Sequence, residues 1–170
     1  MAHLELQLYE YNTWANQQIF NRLKELPKDV YRQKVQSVFP SIAHVLAHVY
    51  LSDLGWIEVF SGKSLNRSLM LAEQLKEQTE SKEIEEMETM FFELSERYKS
   101  FLHQDEHIDK PLVIENPSGD LKTSVSELVF HVVNHGTYHR GNIAAMLRQI
   151  GHASVPTDYG VYLYLITKGE

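Results

Sequence analysis

Apolar residues recur every three or four positions along four separate stretches of this chain, a period that suits helices and not strands. The first stretch carries Leu4, Leu8, Tyr11, Ala15, Ile19, Leu23 and Leu26 and stops at Pro27. The second opens near Pro40, where a missing N–H is tolerated in a first helical turn, and carries Ile42, Val45, Val49, Trp56 and Phe60 up to Gly62. The third runs through Ile84, Met87, Phe91, Leu94, Tyr98 and Phe101. The fourth begins at Ser124 with Glu127 three residues on, the pattern of a capping box. It continues through Leu128, Val132, Ile143, Met146 and Ile150 to Gly151, a C-terminal cap residue. Each stripe must be buried, and four such helices of about 20 residues with long connections predict an all-α four-helix bundle.

The connections add detail. Val113-Ile114 and Leu121 flank Asn116-Pro117-Ser118-Gly119, turn chemistry that predicts a short β-hairpin before the last long helix. Leu69 to Leu75 predicts a short helix, and the Glu-rich run from Glu73 to Glu96 reads as the solvated face of the third helix. The closing segment, with Tyr159, Tyr162 and Tyr164, is expected to pack across the bundle. A length of 170 residues fits one domain, 1–170, around one core.

Composition narrows the chemistry. The chain has no cysteine, so disulfides, thiolate metal sites and a cysteine nucleophile are excluded. A net charge of −7 argues against a broad nucleic-acid footprint. No apolar run approaches a membrane span, and Met1 to Leu8 does not read as a signal peptide, so a cytoplasmic protein is expected.

Histidine is the unusual residue, with nine in the chain and five in two short segments. His131, His135 and His139 follow at four-residue intervals, so adjacent members share a helix face. The stripe through Leu128, Val132, Met146 and Ile150 passes through His135 and His139 and leaves His131 towards its edge. An unpaired imidazole in a core seam costs on the order of 1–3 kcal/mol, so two in adjacent turns need a shared reason. A metal ion is one reason; a hydrogen-bonded network or a wet cleft is the other. A third ligand would come from the second helix, where His44 and His48 are again four apart and the residues leave the choice open. His3, His103, His107 and His152 read as surface residues near termini, helix ends and polar loops. Asp53 and Glu58 read as surface residues that could also support a ligand from behind.

The run His131-Val-Val-Asn134-His135-Gly-Thr-Tyr138-His139-Arg140-Gly141-Asn142 resembles the signature of the DinB/YfiT-like family of damage-inducible proteins. Tyr11-Asn12-Thr13-Trp14-Ala15-Asn16 is similar to that family's first-helix pattern. Ala47-His48-Val-Tyr-Leu-Ser-Asp53-Leu-Gly-Trp56 is similar to its second, with Trp eight residues after His. Asn142 stands where the pattern often has glutamine, and nothing here looks like a polymerase that shares the label. The resemblance covers essentially the whole chain. It implies a four-helix bundle, often a homodimer, with one divalent ion, nickel or zinc, on His48, His135 and His139. His131 then stands near the site rather than in it.

Three neutral histidines leave an open position on a divalent ion, where a water or thiol would be acidified. Relatives of this kind include bacillithiol- and mycothiol-dependent transferases and isomerases. The resemblance therefore implies a small-molecule substrate, either for a low-molecular-weight-thiol S-transferase or for a hydrolase. Tyr138 and Arg140 flank His139 and read either as substrate-facing or as anchors of the helix. The rival reading is a stress-linked binding protein with a structural metal, which would need a fourth protein ligand.

Overall fold

The computed structural model describes residues 4–104 and 108–169. Four long helices carry the four apolar stripes: α1 (Leu4–Lys24), α2 (Ile42–Phe60), α4 (Ile84–Leu102) and α5 (Val125–Gln149). Helix α3 (Leu65–Glu80) follows α2, and α6 (Tyr159–Lys168) closes the chain. A 3-10 turn at Lys28–Tyr31 follows α1. Two strands, β1 (Pro111–Ile114) and β2 (Leu121–Ser124), pair antiparallel with Ile114 opposite Leu121. Gly119 closes their turn with φ 122°, a left-handed value open to glycine.

The sequence signals act where they stand. Ser124 Oγ accepts from the Glu127 N–H at 3.3 Å and Glu127 Oε2 accepts from the Ser124 N–H at 3.2 Å, so the expected capping box starts α5. Gly151 takes φ 86° just beyond its end. The hairpin forms where the turn residues predicted it and runs directly into α5. Three expectations change. The second helix begins after Pro40, with Ser41 at its N-cap. The segment expected as a short helix over Leu69 to Leu75 is the full α3, whose apolar signal is faint because it buries only Ser68 and Thr79. The Glu-rich run is therefore divided between α3 and α4, which break at Ser81 to Glu83. At the C-terminus Tyr162 packs on Tyr11 and Trp14, whereas Tyr164 is exposed.

Helix α1 packs on α4 and α5, α2 packs on the same two, and α3 lies along α2. The interior divides into two apolar groups. One gathers Ala15, Leu54, Leu94, Val132 and Val133; the other gathers Ile19, Val49, Phe91, Ile143 and Met146. Between them, on every long helix, polar residues are buried: Asn16 on α1, Asp53 on α2, Ser95 on α4, and His139 and Arg140 on α5.

Arg140 organises this layer. Its Nη1 donates to Asn12 Oδ1 at 2.7 Å and to Asn16 Oδ1 at 2.8 Å, and its Nη2 donates to Thr137 Oγ1 at 2.9 Å. The guanidinium also lies over the Tyr11 ring, 5.5 Å from its centroid. Gly136 makes room for the arrangement, since a Cβ there would sit 2.5 Å from Asn12 Oδ1 and 2.9 Å from Arg140 Nη1. Glycine to alanine at an open helical position ordinarily stabilises by up to about 1 kcal/mol. Here Gly136→Ala is expected to destabilise instead, by about 1–3 kcal/mol, because the buried contact must open. Urea unfolding checks it: a midpoint at or above the parent's would remove the close approach from the account.

Candidate metal centre

His48 on α2 and His135 and His139 on α5 meet where the two helices pack. His135 Nε2 lies 3.2 Å from His48 Nε2 and 3.0 Å from His139 Nε2. One ligand atom from each of the three falls within 4.8 Å of the others, and no carboxylate joins them among the described residues. His139 is buried, His135 is half-buried and His48 is exposed to the cleft in front of them. The Phe39 ring packs on His48 and His139 at 5.2 and 5.5 Å and holds their orientation from one side.

Protonation follows from burial. The His135 imidazole is pulled down to about 4, first by desolvation and then by the charges of His139, His48 and His131. His139 is also pulled down to about 4, by desolvation and then by His48. Burial lowers His48 as well. All three are therefore neutral at physiological pH, the form in which imidazole donates a lone pair to a metal. Tetrahedral coordination at 2.0–2.1 Å separates two nitrogens by about 3.3 Å, close to the spacings seen here. The donor set thus fits a divalent ion, with the Nε2 atoms as ligands. Metal-bound imidazoles ordinarily donate through the other nitrogen. The Nδ1 atoms of His135 and His139 are buried without a protein partner among the described residues, so that outer support is missing from the side chains.

A cleft of about 710 Å³ opens in front of His48 and His135. Helices α2, α3 and α5 and the chain at Phe39-Pro40 wall it. His44 and His131 also line it without joining the trio, although the His131 ring stacks on His135 at 6.1 Å. His44 Nδ1 is 2.7 Å from the Ser41 hydroxyl at the start of α2, and His131 packs edge-on against Trp56 at 5.0 Å. The remaining histidines stay apart from the site: His103 is exposed and His152 is tied by its N–H to the Leu147 carbonyl. His3 and His107 lie outside the described residues.

Asp53 corrects a sequence expectation. It is 2% exposed rather than a surface residue, because it faces the polar layer and not the solvent side of α2. Burial pushes its carboxyl up to about 8, opposed by the Arg140 charge. Glu58 is a surface residue, paired with Arg97 at 2.7 Å. Neither carboxylate hydrogen-bonds a site histidine. Arg140 anchors its helix, and Tyr138 is 65% exposed with its ring edge-on to His139. Phe39 carries no signal in the sequence, and the α3 wall of the cleft shows only the short stretch Leu69 to Leu75 and its glutamates, because its apolar period is weak.

Residues 1–169 match the family model described as the DinB family. The chain is 72% identical over 171 residues to a protein of Bacillus subtilis (strain 168) named Protein DinB, a match spanning 100% of this chain and 99% of that one.

The neutral histidines set a pH dependence. In the metal-free fold His135 and His139 bind protons near 4, but near 6.5 once unfolded. The unfolded chain takes up more protons between those values. Their contribution to stability is complete above about 6.5 and is lost as pH falls towards 4. Asp53 has the opposite sign, because its folded pKa is raised: its proton is retained only in the fold, so stability falls as pH rises from about 4 to 8. A His135→Gln/His139→Gln variant isolates the histidines. Between about pH 7.5 and 4.5, with a chelator present, the urea midpoint of the parent should drop more steeply than that of the variant. Equal slopes would mean that both imidazoles are solvated.

Proposed function

The chain belongs to the DinB family, and from that premise we propose a metal-dependent enzyme that transfers a low-molecular-weight thiol to an electrophile. In this reading His48, His135 and His139 hold one divalent ion, and α1, α2, α4 and α5 are the four-helix bundle of a single domain that carries it. An all-imidazole donor set suits zinc or nickel. Bound there, the ion would supply Lewis acidity and would lower the pKa of a water or thiol at its open position.

The observation that carries the proposal is the open side of the histidine trio. Only three ligand groups gather among the described residues, and two of them, His48 and His135, line the cleft. A closed structural site would need that fourth group. The cleft's volume lies in the range of small-molecule sites. Hydrolysis at such a centre benefits from a carboxylate base, and among the described residues none joins the histidine group, the cleft's carboxylates standing across it on α3. A thiol needs no base once acidified, since its thiolate is itself the nucleophile. With 1-chloro-2,4-dinitrobenzene as electrophile, sulfur bonds to the ring carbon, chloride departs with its electron pair, and the thiol proton passes to solvent. The protein's own task is to place both partners, exclude water with Phe39 and Trp56, and keep the imidazoles neutral.

Untagged protein should contain one zinc or nickel per chain by elemental analysis, and His48→Ala and His139→Ala should each lose it. Conjugation of 1-chloro-2,4-dinitrobenzene by a panel of thiols should fall to the uncatalysed rate on chelation and return on reloading. Rates indifferent to metal would sink the transferase reading. Metal retained by both variants would sink the ligand assignment. The reading also includes a homodimer. Light scattering should give twice the 19.8 kDa chain mass, and a monomer mass would remove that part alone.

A further inference from the structure

The cleft is divided in its chemistry, and the division lies along α3. From its N-terminus the cleft-facing residues of that helix read Leu65, Ser68, Leu69, Ala72 and then Glu73, Lys76, Glu80. Its first half is uncharged, with Leu65, Leu69 and Ala72 on the side of Trp56 and the Ser68 hydroxyl turned back to the Ser64 carbonyl; its second half carries three charges of alternating sign. The register against α2 places that charged half. Four residues, Ser61 to Ser64, join the two helices, so they run antiparallel. A Cβ on Gly55 would stand 3.8 Å from Ser68 Cβ, which pins the two helices level at that point. Lys76 is eight residues beyond Ser68, and His48 is seven before Gly55. At 1.5 Å per residue those steps are about 12 and 10.5 Å, so Lys76 and His48 stand at nearly the same height. By the same count Glu80 is level with His44, and Glu73 lies between His48 and Ser52.

Ion pairs occupy the charged residues of the neighbouring elements. Arg97 pairs with Glu58, Lys82 with Glu86, Arg32 with Glu83 and Lys24 with Glu88. Glu73, Lys76 and Glu80 are spaced three and four apart, close enough to pair with one another on a helix. None of them forms an ion pair among the described residues, and all three line the cleft.

We propose that Glu73, Lys76 and Glu80 form a headgroup subsite, and that the thiol substrate carries both an ammonium and a carboxylate group. Lys76 takes the carboxylate, and Glu73 and Glu80 take the ammonium. Helix axes that pack side by side are 8–10 Å apart, which sets the scale between sulfur at the histidines and the charged head at about that distance. The apolar half, from Trp56 to Leu65 and Leu69, is left for the electrophile. This inference rests on the thiol-transfer reading, and its specificity lies in residues that touch no metal ligand.

The test uses the full chain loaded with Co(II), whose absorption band reports both metal capture and thiol binding. The probes are glutathione, its N-acetyl form, its diethyl ester and 2-mercaptoethanol. Glutathione is expected to bind at least about tenfold more tightly than 2-mercaptoethanol, and masking either its amine or its carboxylates should weaken it about fivefold or more, the scale of one charge-assisted contact. Lys76→Met should make glutathione and its diethyl ester bind alike while the acetyl penalty persists. Glu73→Gln/Glu80→Gln should erase the acetyl penalty and keep that of the ester. Four thiols of equal affinity, or penalties that survive these substitutions, would overturn the subsite while leaving the metal and transfer reading intact. Failure of Co(II) to load would overturn that reading, and the subsite with it.

Discussion

The guanidinium of Arg140 is buried between α1 and α5, and its hydrogen bonds run to Asn12, Asn16 and Thr137. A buried cation left without partners would be strongly unfavourable, so α1 must present its two amide oxygens at one height and one rotation. That requirement sets how α5 lies against α1. Gly136 and Arg140 bracket His139 on the same helix, with His135 immediately before Gly136. The contact that satisfies the arginine therefore also fixes where two of the three site imidazoles emerge. On α2, Asp53 stands five residues after His48 and faces the same layer. Both helices that bear the histidines are thus aligned by one polar stratum between two apolar groups, and the histidines converge as a consequence of that alignment.

Periodicity revealed much of this arrangement because helix phase is a local property. The stripe through Val132 and Met146 oriented His135 and His139 without knowledge of any other helix. The capping box at Ser124 and Glu127 and the turn at Asn116 to Gly119 are similarly local, and both stand as expected. His44 and His48 could not be separated in the same way, since both lie on one face of α2. A tertiary fact separates them: the Ser41 hydroxyl engages His44 while His48 meets α5. The family motif had pointed to the same residue through resemblance rather than through physics.

What escaped the sequence is polar and long-range. Asp53 reads as a surface residue because the residue that gives its burial electrostatic sense, Arg140, lies 87 positions away. Asn12 and Asn16 carry no apolar signal, so a search for core stripes passes over them although they are buried. Helix α3 was legible only as the short stretch Leu69 to Leu75, for the converse reason. It buries almost nothing, its stripe is apolar only over its first half, and its role is to wall a cleft rather than to fill a core.

Charge balance around the trio bears on what the open position would accept. The three imidazoles are neutral and Asp53 is held neutral up to about 8, while Arg140 stays cationic a single residue from His139. Among the described residues no carboxylate joins the three histidines to offset a divalent charge. The low-dielectric interior on the α5 side screens that charge poorly, so an incoming anion gains more from it than in water. A neutral carbonyl or amine has less to gain. The environment built around the histidines thus favours a small ligand that can become anionic on arrival, which describes a thiol or a water.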